Sequence, residues 1–361
     1  MEETKKMSFG RRMLIFFVGI LAFIGLFSAI LCAVNPLISP NFFVFSSYFG
    51  LGFWVIILFN LFILIVLIIL KAKKIKFVPI LSLIIAVPGF MNSYSVKKQS
   101  TDEGYIKIMT YNVCQFSDVT TKDKKIAKSE IIEIIKSQNP DIVCLQESGS
   151  WNDKISKDFA EKINCKYYAF NKNHYGNVMF SKYPFYDDEY TDKCNSNTEY
   201  LVRGVNAGGL GKFYVECVHL QSFMITDNEI DYINDARIYD RKSDTIGKSV
   251  IYKLKEGFIK RTKDVSVLVD NLPEYDVPIV VCGDFNDTPL SYTYHRMRKA
   301  NLNDAFLKVG HGIGKTYCGR LPLLRIDYFW HNEQIVPMTY ERVKQKLSDH
   351  YPITMTFNVI H

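Results

Sequence analysis

The chain of 361 residues lacks the short motifs of several large enzyme classes. It has no Gly-rich Walker loop, which weighs against a nucleoside triphosphatase, and no GxSxG elbow, which weighs against a serine hydrolase. Its eight cysteines include no CxxC and no paired Cys/His spacing, so a structural zinc site has no ligands at the usual intervals. Cys32 lies in a long apolar run. The other seven (Cys114, Cys144, Cys165, Cys194, Cys217, Cys282 and Cys318) are scattered, several of them inside apolar strand runs. An odd number argues against a full disulfide framework and for thiols that act as small buried side chains. There is no internal repeat and no low-complexity tract. A basic surplus is also missing from most of the chain. Of the 44 Lys+Arg and 37 Asp+Glu, 10 and 2 fall in residues 1–100, which leaves 34 and 35 for residues 101–361. A protein that grips long nucleic acid commonly carries a basic stripe, and the bulk composition here offers no support for one.

What the first hundred residues do have is long apolar runs. Met13–Val34 and Tyr48–Leu70 are without charge, and each exceeds the roughly 20 residues that span a bilayer's hydrocarbon core. A third stretch, Phe77–Tyr94, is shorter and contains Pro79 and Pro88. The sequence therefore predicts a membrane region over residues 1–95, with helices near 13–34, 48–70 and 77–94. A signal peptide is a rival reading for the first run, since Lys5, Lys6, Arg11 and Arg12 precede it, but its apolar core is too long and a second run follows. Those four cations and the Lys71–Lys76 loop should face the cytoplasm, while residues 35–47 carry no Lys or Arg. Three spans would put everything beyond residue 95 on the extracytoplasmic side, the favoured reading for this multi-pass arrangement. Two spans would leave it in the cytoplasm.

From about residue 103 the pattern becomes that of one domain mixing strands and helices. Tyr105–Val113, Ile142–Glu147, Val178–Ser181, Leu201–Asn206, Phe213–His219, Val277–Asp284, Arg325–Trp330, Val343–Leu347 and Ile353–Val359 read as strands, short, rich in Val, Ile, Phe and Tyr, and bounded by turn residues. Lys125–Gln138 has apolar residues at helical spacing and stops at Asn139-Pro140. Residues 228–271 are polar with a weak helical period and predict one or two surface helices. So many strands need more than one sheet, with helices outside.

The informative feature is where polar residues fall. IKIMTYN ends in Asn112, DIVCLQE in Glu147 and FYVECVH in His219. PIVVCGDFN ends in Asp284 and Asn286, RIDYFW carries Asp327 near its start, and LSDHYPI sets Asp349 and His350 before another apolar run. Each alone has an ordinary explanation: a solvated edge, a turn, or an Asp327–Arg325 pair. Six elements that each end or begin this way, beside residues too apolar for the surface, are harder to dismiss, because carboxylates beside a core are costly unless paired or bound to a metal. Carboxylate and amide oxygens with few nitrogen ligands suit a hard cation such as Mg²⁺ or Mn²⁺, and such sites are typical of phosphoryl chemistry.

With TYN at 110–112, LQE at 145–147, GNVMFSKYP at 176–184, VHL at 218–220, GDFN at 283–286, RID at 325–327 and SDH at 348–350, in that order, the chain resembles the endonuclease/exonuclease/phosphatase superfamily. The resemblance covers about residues 104–360. It implies an α+β fold, a four-layer αββα sandwich of two stacked mixed sheets, here preceded by a helical transmembrane region. It implies a metal-dependent phosphoesterase, with Mg²⁺ or Mn²⁺ held by Glu147 and with Asn112 and Asp349 close by. By the same pattern Asp284 would orient or deprotonate the attacking water and Asn286 would bond the phosphate. His219 and His350 would contact phosphate oxygens, and Asp327 would orient His350. Arg203, Asn177 and Tyr175 are candidates on the substrate side.

The resemblance does not choose a substrate. The partner is a phosphate ester, either nucleic acid or phospholipid, with the bilayer itself a partner through the N-terminal helices. No feature points to a protein partner. Phe223–Ile225 and Leu321–Leu324 could form apolar lips for a phospholipid or sphingomyelin-type phosphodiesterase, although such residues are more often packed under loops. A non-catalytic membrane receptor or scaffold on the same fold would be expected to have lost at least one motif residue.

Overall fold

The computed structural model describes residues 8–97, 99–100, 104–117, 124–171, 176–191, 194, 200–225, 229, 241–273, 277–319 and 323–360. The chain forms two compact units, Met1–Ser93 with Pro289–His295, and Tyr94–Thr288 with Arg296–His361.

The first unit is helical: α1 (Phe9–Val34), α2 (Pro40–Phe43), α3 (Phe45–Leu51), α4 (Phe53–Ile69), α5 (Phe77–Ile85) and α6 (Val87–Ser93). The hydroxyl of Ser8 caps α1 by accepting from the Arg11 N–H. The inward face of α1 is mostly small, with Gly19, Ala22, Gly25 and Ala29 buried beside Val18, Leu31 and Cys32, and Ala22 packs in a cluster with Ile63 and Leu67 of α4. Phe16, Phe17, Phe23 and Phe27 are more than half exposed. Small residues inside and large apolar ones outside reverse the order of a water-soluble helix, and suit close helix approach in an apolar solvent. Asn60 on α4 donates to the Gly25 carbonyl (3.3 Å) and to that of Ile56 (2.9 Å).

The helix over Phe9–Leu37 is long and apolar enough to cross a membrane. The second expected span is not one straight helix, since α3 and α4 meet at a bend of 74°. The third resolves into α5 and α6, of nine and seven residues. The break at Ala86 lies two residues before Pro88, which has no N–H to bond the Ile84 carbonyl and whose ring crowds that turn. Neither piece reaches the roughly 20 residues of a span.

The second unit holds two six-stranded sheets. One runs in the order β13 (Ile335–Arg342), β14 (Ile353–Val359), β2 (Ile106–Asn112), β3 (Ile142–Gln146), β5 (Val178–Ser181), β4 (Tyr167–Phe170). The other runs β10 (Asn303–Asp304), β12 (Asp327–His331), β9 (Ile279–Asp284), β8 (Lys212–His219), β7 (Leu201–Asn206), β6 (Phe185–Tyr186). A short pair, β1 (Ser95–Val96) and β11 (His311–Gly312), stands apart. Each large sheet is parallel only at its centre, β2 with β3 and β8 with β9. Ile108, Cys144, Met179 and Met355 of one sheet meet Val215, Cys217, Val280, Cys282 and Phe329 of the other in the main core. The alternate residues Met109, Tyr111, Val143 and Leu145 face outward, onto Ile131 and Ile135 of α7 (Lys124–Gln138) and Phe159 of α8 (Asp153–Lys162). The helices that follow include α9 (Arg241–Asp270), α10 (Tyr292–Lys299), which begins in the Pro289–His295 piece of the first unit, and α11 (Ala305–Val309). This is the two-sheet α+β sandwich expected.

Among the described residues, six strands went unforeseen: β4, β13 and the two-residue β1, β6, β10 and β11. β13 contains Pro337. It is tolerated because β13 lies on the sheet edge and its register shifts at Pro337/Thr339. The strand expected over Val343–Leu347 does not form: Lys344, Gln345 and Lys346 are exposed, so only the two ends of that run are apolar. Much of the polar stretch 228–271 is the single 30-residue helix α9, while residues 228 and 230–240 lie outside the described residues.

Candidate active site

The two parallel pairs build the site. β2 and β3 end together with Asn112 opposite Gln146, and β8 and β9 end together with His219 opposite Asp284. β12 comes in antiparallel, so its first residue, Asp327, also lies opposite Asp284. Carboxyl ends of adjacent parallel strands are where open α/β sheets gather ligands. Here they bring Asn112, Glu147, His219 and Asp284 to one edge of the sandwich.

Local backbone makes the delivery possible. Gly283 has a φ of 140°, and a Cβ there would run into the carbonyl oxygen of Val218. Only glycine lets β9 lie this close to β8 one residue before Asp284. Glu147 follows β3 with a φ of 49°, a left-handed conformation that costs a non-glycine residue about 1–3 kcal/mol and persists only where the surroundings hold it. Its neighbour Gln146 points between the sheets, where its amide donates to the Thr110 hydroxyl (3.0 Å) and to Cys217 Sγ (3.2 Å). Asn286, with a φ of 52°, is of a type that visits this region readily.

Asn112 Nδ2 donates to Glu147 Oε1 (3.0 Å) and to Asp284 Oδ2 (2.9 Å), and its Oδ1 accepts from the Cys114 N–H (3.0 Å). His219 Nε2 is 3.3 Å from Glu147 Oε1 and 3.8 Å from Asp284 Oδ2. His350 Nε2 is 3.6 Å from Asp284 Oδ2, and its Nδ1 is 2.9 Å from Asp327 Oδ2. Ser348 fixes the His350 loop, donating its hydroxyl to the Asn112 carbonyl (2.8 Å) and accepting from the His350 N–H (3.3 Å). Burial is graded: the side chains of Asp284, Asp327 and His350 are 1 %, 2 % and 4 % exposed, those of His219 and Glu147 25 % and 33 %. The open end leads into a cleft of about 590 Å³ lined by Glu147, His219, Tyr200, Gln221 and Ser222 among others.

The two carboxyls are driven apart. Burial pushes Asp284 up to about 6, against the pull of His350; Asp327 adds to the rise, and His219 and Asn112 oppose it. Burial acts upward on Glu147 as well, but the adjoining His219, the Asn112 amide and the charge of His350 outweigh it and hold the group at about 2. Burial disfavours charge on His350, yet Asp327 and Asp284 together raise it well above the ordinary imidazole value. His219 is raised in the same way, mainly by Glu147 and Asp284.

Of the residues expected from the sequence, Asn112, Glu147, His219, Asp284, Asn286, Asp327 and His350 come together. Arg325 does not pair with Asp327 but with Asp304 (2.7 Å), which leaves Asp327 to His350. Asn286 uses its amide on Asp284 Oδ2 (3.2 Å) and the Leu220 carbonyl (2.9 Å). Asp349 adjoins His350, its Oδ1 3.2 Å from the Ser348 hydroxyl oxygen; among the described residues its carboxylate is in neither ligand-atom cluster, Glu147–His219–Asp284 or Asp284–Asp327–His350. Asn177 is buried near the site and donates to the Cys217 carbonyl (3.4 Å). Arg203 stands off. It lies opposite Val215, four residues short of His219, which is about 13 Å along a strand, and it meets Asp187 (3.4 Å) and its neighbour's carbonyl. Tyr175 and residues 320–322 lie outside the described residues. Phe223 is no lip, since its ring packs on Phe258 (5.1 Å) and on the Arg261 guanidinium (4.1 Å). Sequence reading missed Gln146, Ser348 and Thr316, whose hydroxyl accepts from the N–H groups of Ile326 and Asp327. For Ser348 the adjoining Asp349-His350 was a signal; for Thr316 there was none.

Residues 109–350 match the Endonuclease/Exonuclease/phosphatase family. The uncharacterised protein YbhP of Escherichia coli (strain K12) is 24 % identical over 283 residues, which cover 70 % of this chain and 96 % of YbhP. Among solved structures, an endonuclease/exonuclease/phosphatase from Beutenbergia cavernae is 17 % identical, with 72 % of each chain covered and a TM-score of 0.47. The 3'-5' exonuclease NExo from Neisseria meningitidis is 15 % identical, covers 70 % of this chain and 100 % of its own, and has a TM-score of 0.48.

Proposed function

The chain belongs to the endonuclease/exonuclease/phosphatase family, and on that premise we propose that residues 103–361 form a divalent-metal-dependent phosphoesterase. It hydrolyses phosphodiester or phosphomonoester bonds by direct attack of water on phosphorus. The observation that supports this reading most is the meeting of Asn112, Glu147, His219, Asp284 and the Asp327–His350 pair at the ends of strands from both sheets.

The donor set fits Mg²⁺ or Mn²⁺. Glu147, His219 and Asp284 each offer a ligand atom within 4.8 Å of the others, and Glu147 is ionised far below neutral pH. Glu147 would hold the cation, with Asn112 beside it; Asn112 would have to turn its oxygen towards Glu147, since its donor end now faces both carboxylates, and Asp349, outside both ligand-atom clusters among the described residues, would have to move to join them. When bound, the cation supplies Lewis-acid polarisation of the phosphoryl group. Asp284, titrating near neutrality, accepts the proton of the attacking water. Asn286 bonds Asp284 and so orients it rather than reaching for phosphate. His350, aligned by Asp327, and His219 offer N–H donors to phosphoryl oxygens as negative charge gathers on them.

A non-catalytic receptor on the same fold is the weaker reading, because none of these motif residues is missing. The anchor is part of the proposal: residues 1–95 attach the catalytic part to a bilayer, a reading that the small inward and large outward faces of α1 support. The test is hydrolysis by the full chain in detergent of bis(4-nitrophenyl) phosphate, DNA, RNA and phospholipid vesicles, with Mg²⁺, with Mn²⁺ and with EDTA. Metal-dependent turnover is expected, with Asp284→Ala lowering kcat by about 10²–10⁴. No metal-dependent release from any substrate, and Asp284→Ala indistinguishable from the natural chain, would sink the reading. Cleavage of lipid but not DNA, or the reverse, names the substrate class.

A further inference from the structure

Two loops leave the strands that carry His219 and Asp284. One runs over residues 220–225, and the other carries Asn286 and Asp287. Helix α9 meets both through one buried cation. Arg261 has no exposed surface. Its Nε lies 3.2 Å from Asp287 Oδ2, and its Nη1 donates to the Gln221 carbonyl (2.9 Å). The Phe223 ring sits 4.1 Å from its guanidinium carbon and the Phe258 ring 5.3 Å. One turn further along α9, Asp264 accepts from the N–H of the same Gln221 (3.1 Å). Both backbone groups of Gln221 are therefore held from a single helix face, two residues beyond His219. At the other end, the Asn286 amide already bonds the Leu220 carbonyl and Asp284. The contacts close a ring: Asn286 to Leu220, Gln221 to Arg261, Arg261 to Asp287, and Asp287 back to Asn286 through the chain.

From this geometry we infer that Arg261 is a positioning residue. It fixes the loop after His219 against the turn that carries Asn286, and so sets where both groups stand around Asp284. The inference rests on the phosphoesterase reading for its kinetic consequence alone. Packing by itself does not explain a guanidinium here. Taking the charge out of water is costly, Nη2 has no hydrogen-bond partner among the described residues, and an apolar side chain of similar volume would fill the space as well. What an apolar side chain lacks is direction. The planar fork bonds two chain segments at a set angle, which suits groups whose reaction is sensitive to small displacements.

The test uses the full chain in detergent with Mg²⁺ and bis(4-nitrophenyl) phosphate. Arg261→Met keeps the length and removes the donors, and Asp287→Asn weakens the same link from the other side while leaving the aromatic packing intact. The expected result for both is a fall in kcat of about 10–100-fold with KM changed less than about threefold, since a displaced catalytic group is lost to the transition state more than to binding. Arg261→Lys restores only part of the loss, because the charge returns without the fork. Variants that melt earlier but keep the natural kcat would reduce Arg261 to a packing residue and overturn the inference. Should Arg261→Met fail to fold, Asp287→Asn carries the comparison. If the natural chain has no turnover, the phosphoesterase reading fails by itself. Positioning is then read from backbone hydrogen exchange over residues 220–225 and 285–288, where acceleration in Arg261→Met supports it and unchanged protection overturns it.

Discussion

At the scale of single residues, Glu147 and Asp284 share one amide donor and yet hold their protons very differently. A third acid, Glu216, turns away from the site on the same strand as His219. It is fully buried, takes the Tyr190 hydroxyl on one oxygen, and is pushed by burial up to about 7. The consequence for stability follows from linkage. Below about 4.5 the group is protonated whether the chain is folded or not. Between 4.5 and 7 only the unfolded chain releases the proton, so stability falls as pH rises through that window, by on the order of 3 kcal/mol, and levels off above it. Glu216→Gln should remove this slope: denaturant midpoints of the two proteins should converge near pH 4.5 and favour the variant at pH 8. Arg325 and Asp304 form a second buried ion pair, and Asp304→Ala, which strands the guanidinium, should cost about 3–5 kcal/mol in equilibrium unfolding. Asp327→Asn should leave the fold intact and lower kcat by about 10²–10⁴ by freeing His350.

At the scale of elements, β9 depends on one glycine. Gly283→Ala forces a side chain against β8 at a φ that L-residues avoid, and should destabilise the fold by about 1–3 kcal/mol, seen as a fall of several degrees in melting temperature with activity reduced in parallel. This strand was also among the most legible in the sequence, because an apolar run that breaks at Gly-Asp marks both a strand end and a change of role. The ends of β2, β3 and β8 were legible for the same reason. Elements that depend on context were not. β13 contains a proline that only an edge strand accepts, and Val343–Leu347 has apolar ends but an exposed polar middle. Arg203 has the right residue type on the right strand, and only the pairing register reveals that it stops four positions short of His219. Arg261 gave no local signal at all, since its partners lie 26 and 40 residues away.

At the scale of the whole molecule, the helical unit makes its own prediction. Full-length protein should stay with the membrane pellet through alkaline carbonate washing, and a chain starting after residue 95 should not. A C-terminal reporter then decides the side: if the first two runs both cross, activity in the cytoplasm means that residues 77–94 do not, and activity outside means that they do. In the other unit, the row His219–Asp284–Asp327 runs straight across three neighbouring strands. A slip of β9 by a single residue would bring Gly283 or Phe285 into that row and turn every side chain of the strand to its opposite face. A sheet assembled out of step therefore has no weakened form of this constellation; it has none. On the phosphoesterase reading, errors in assembling this sheet would yield silent molecules rather than indiscriminate ones, so turnover itself would certify that the second sheet has been put together correctly.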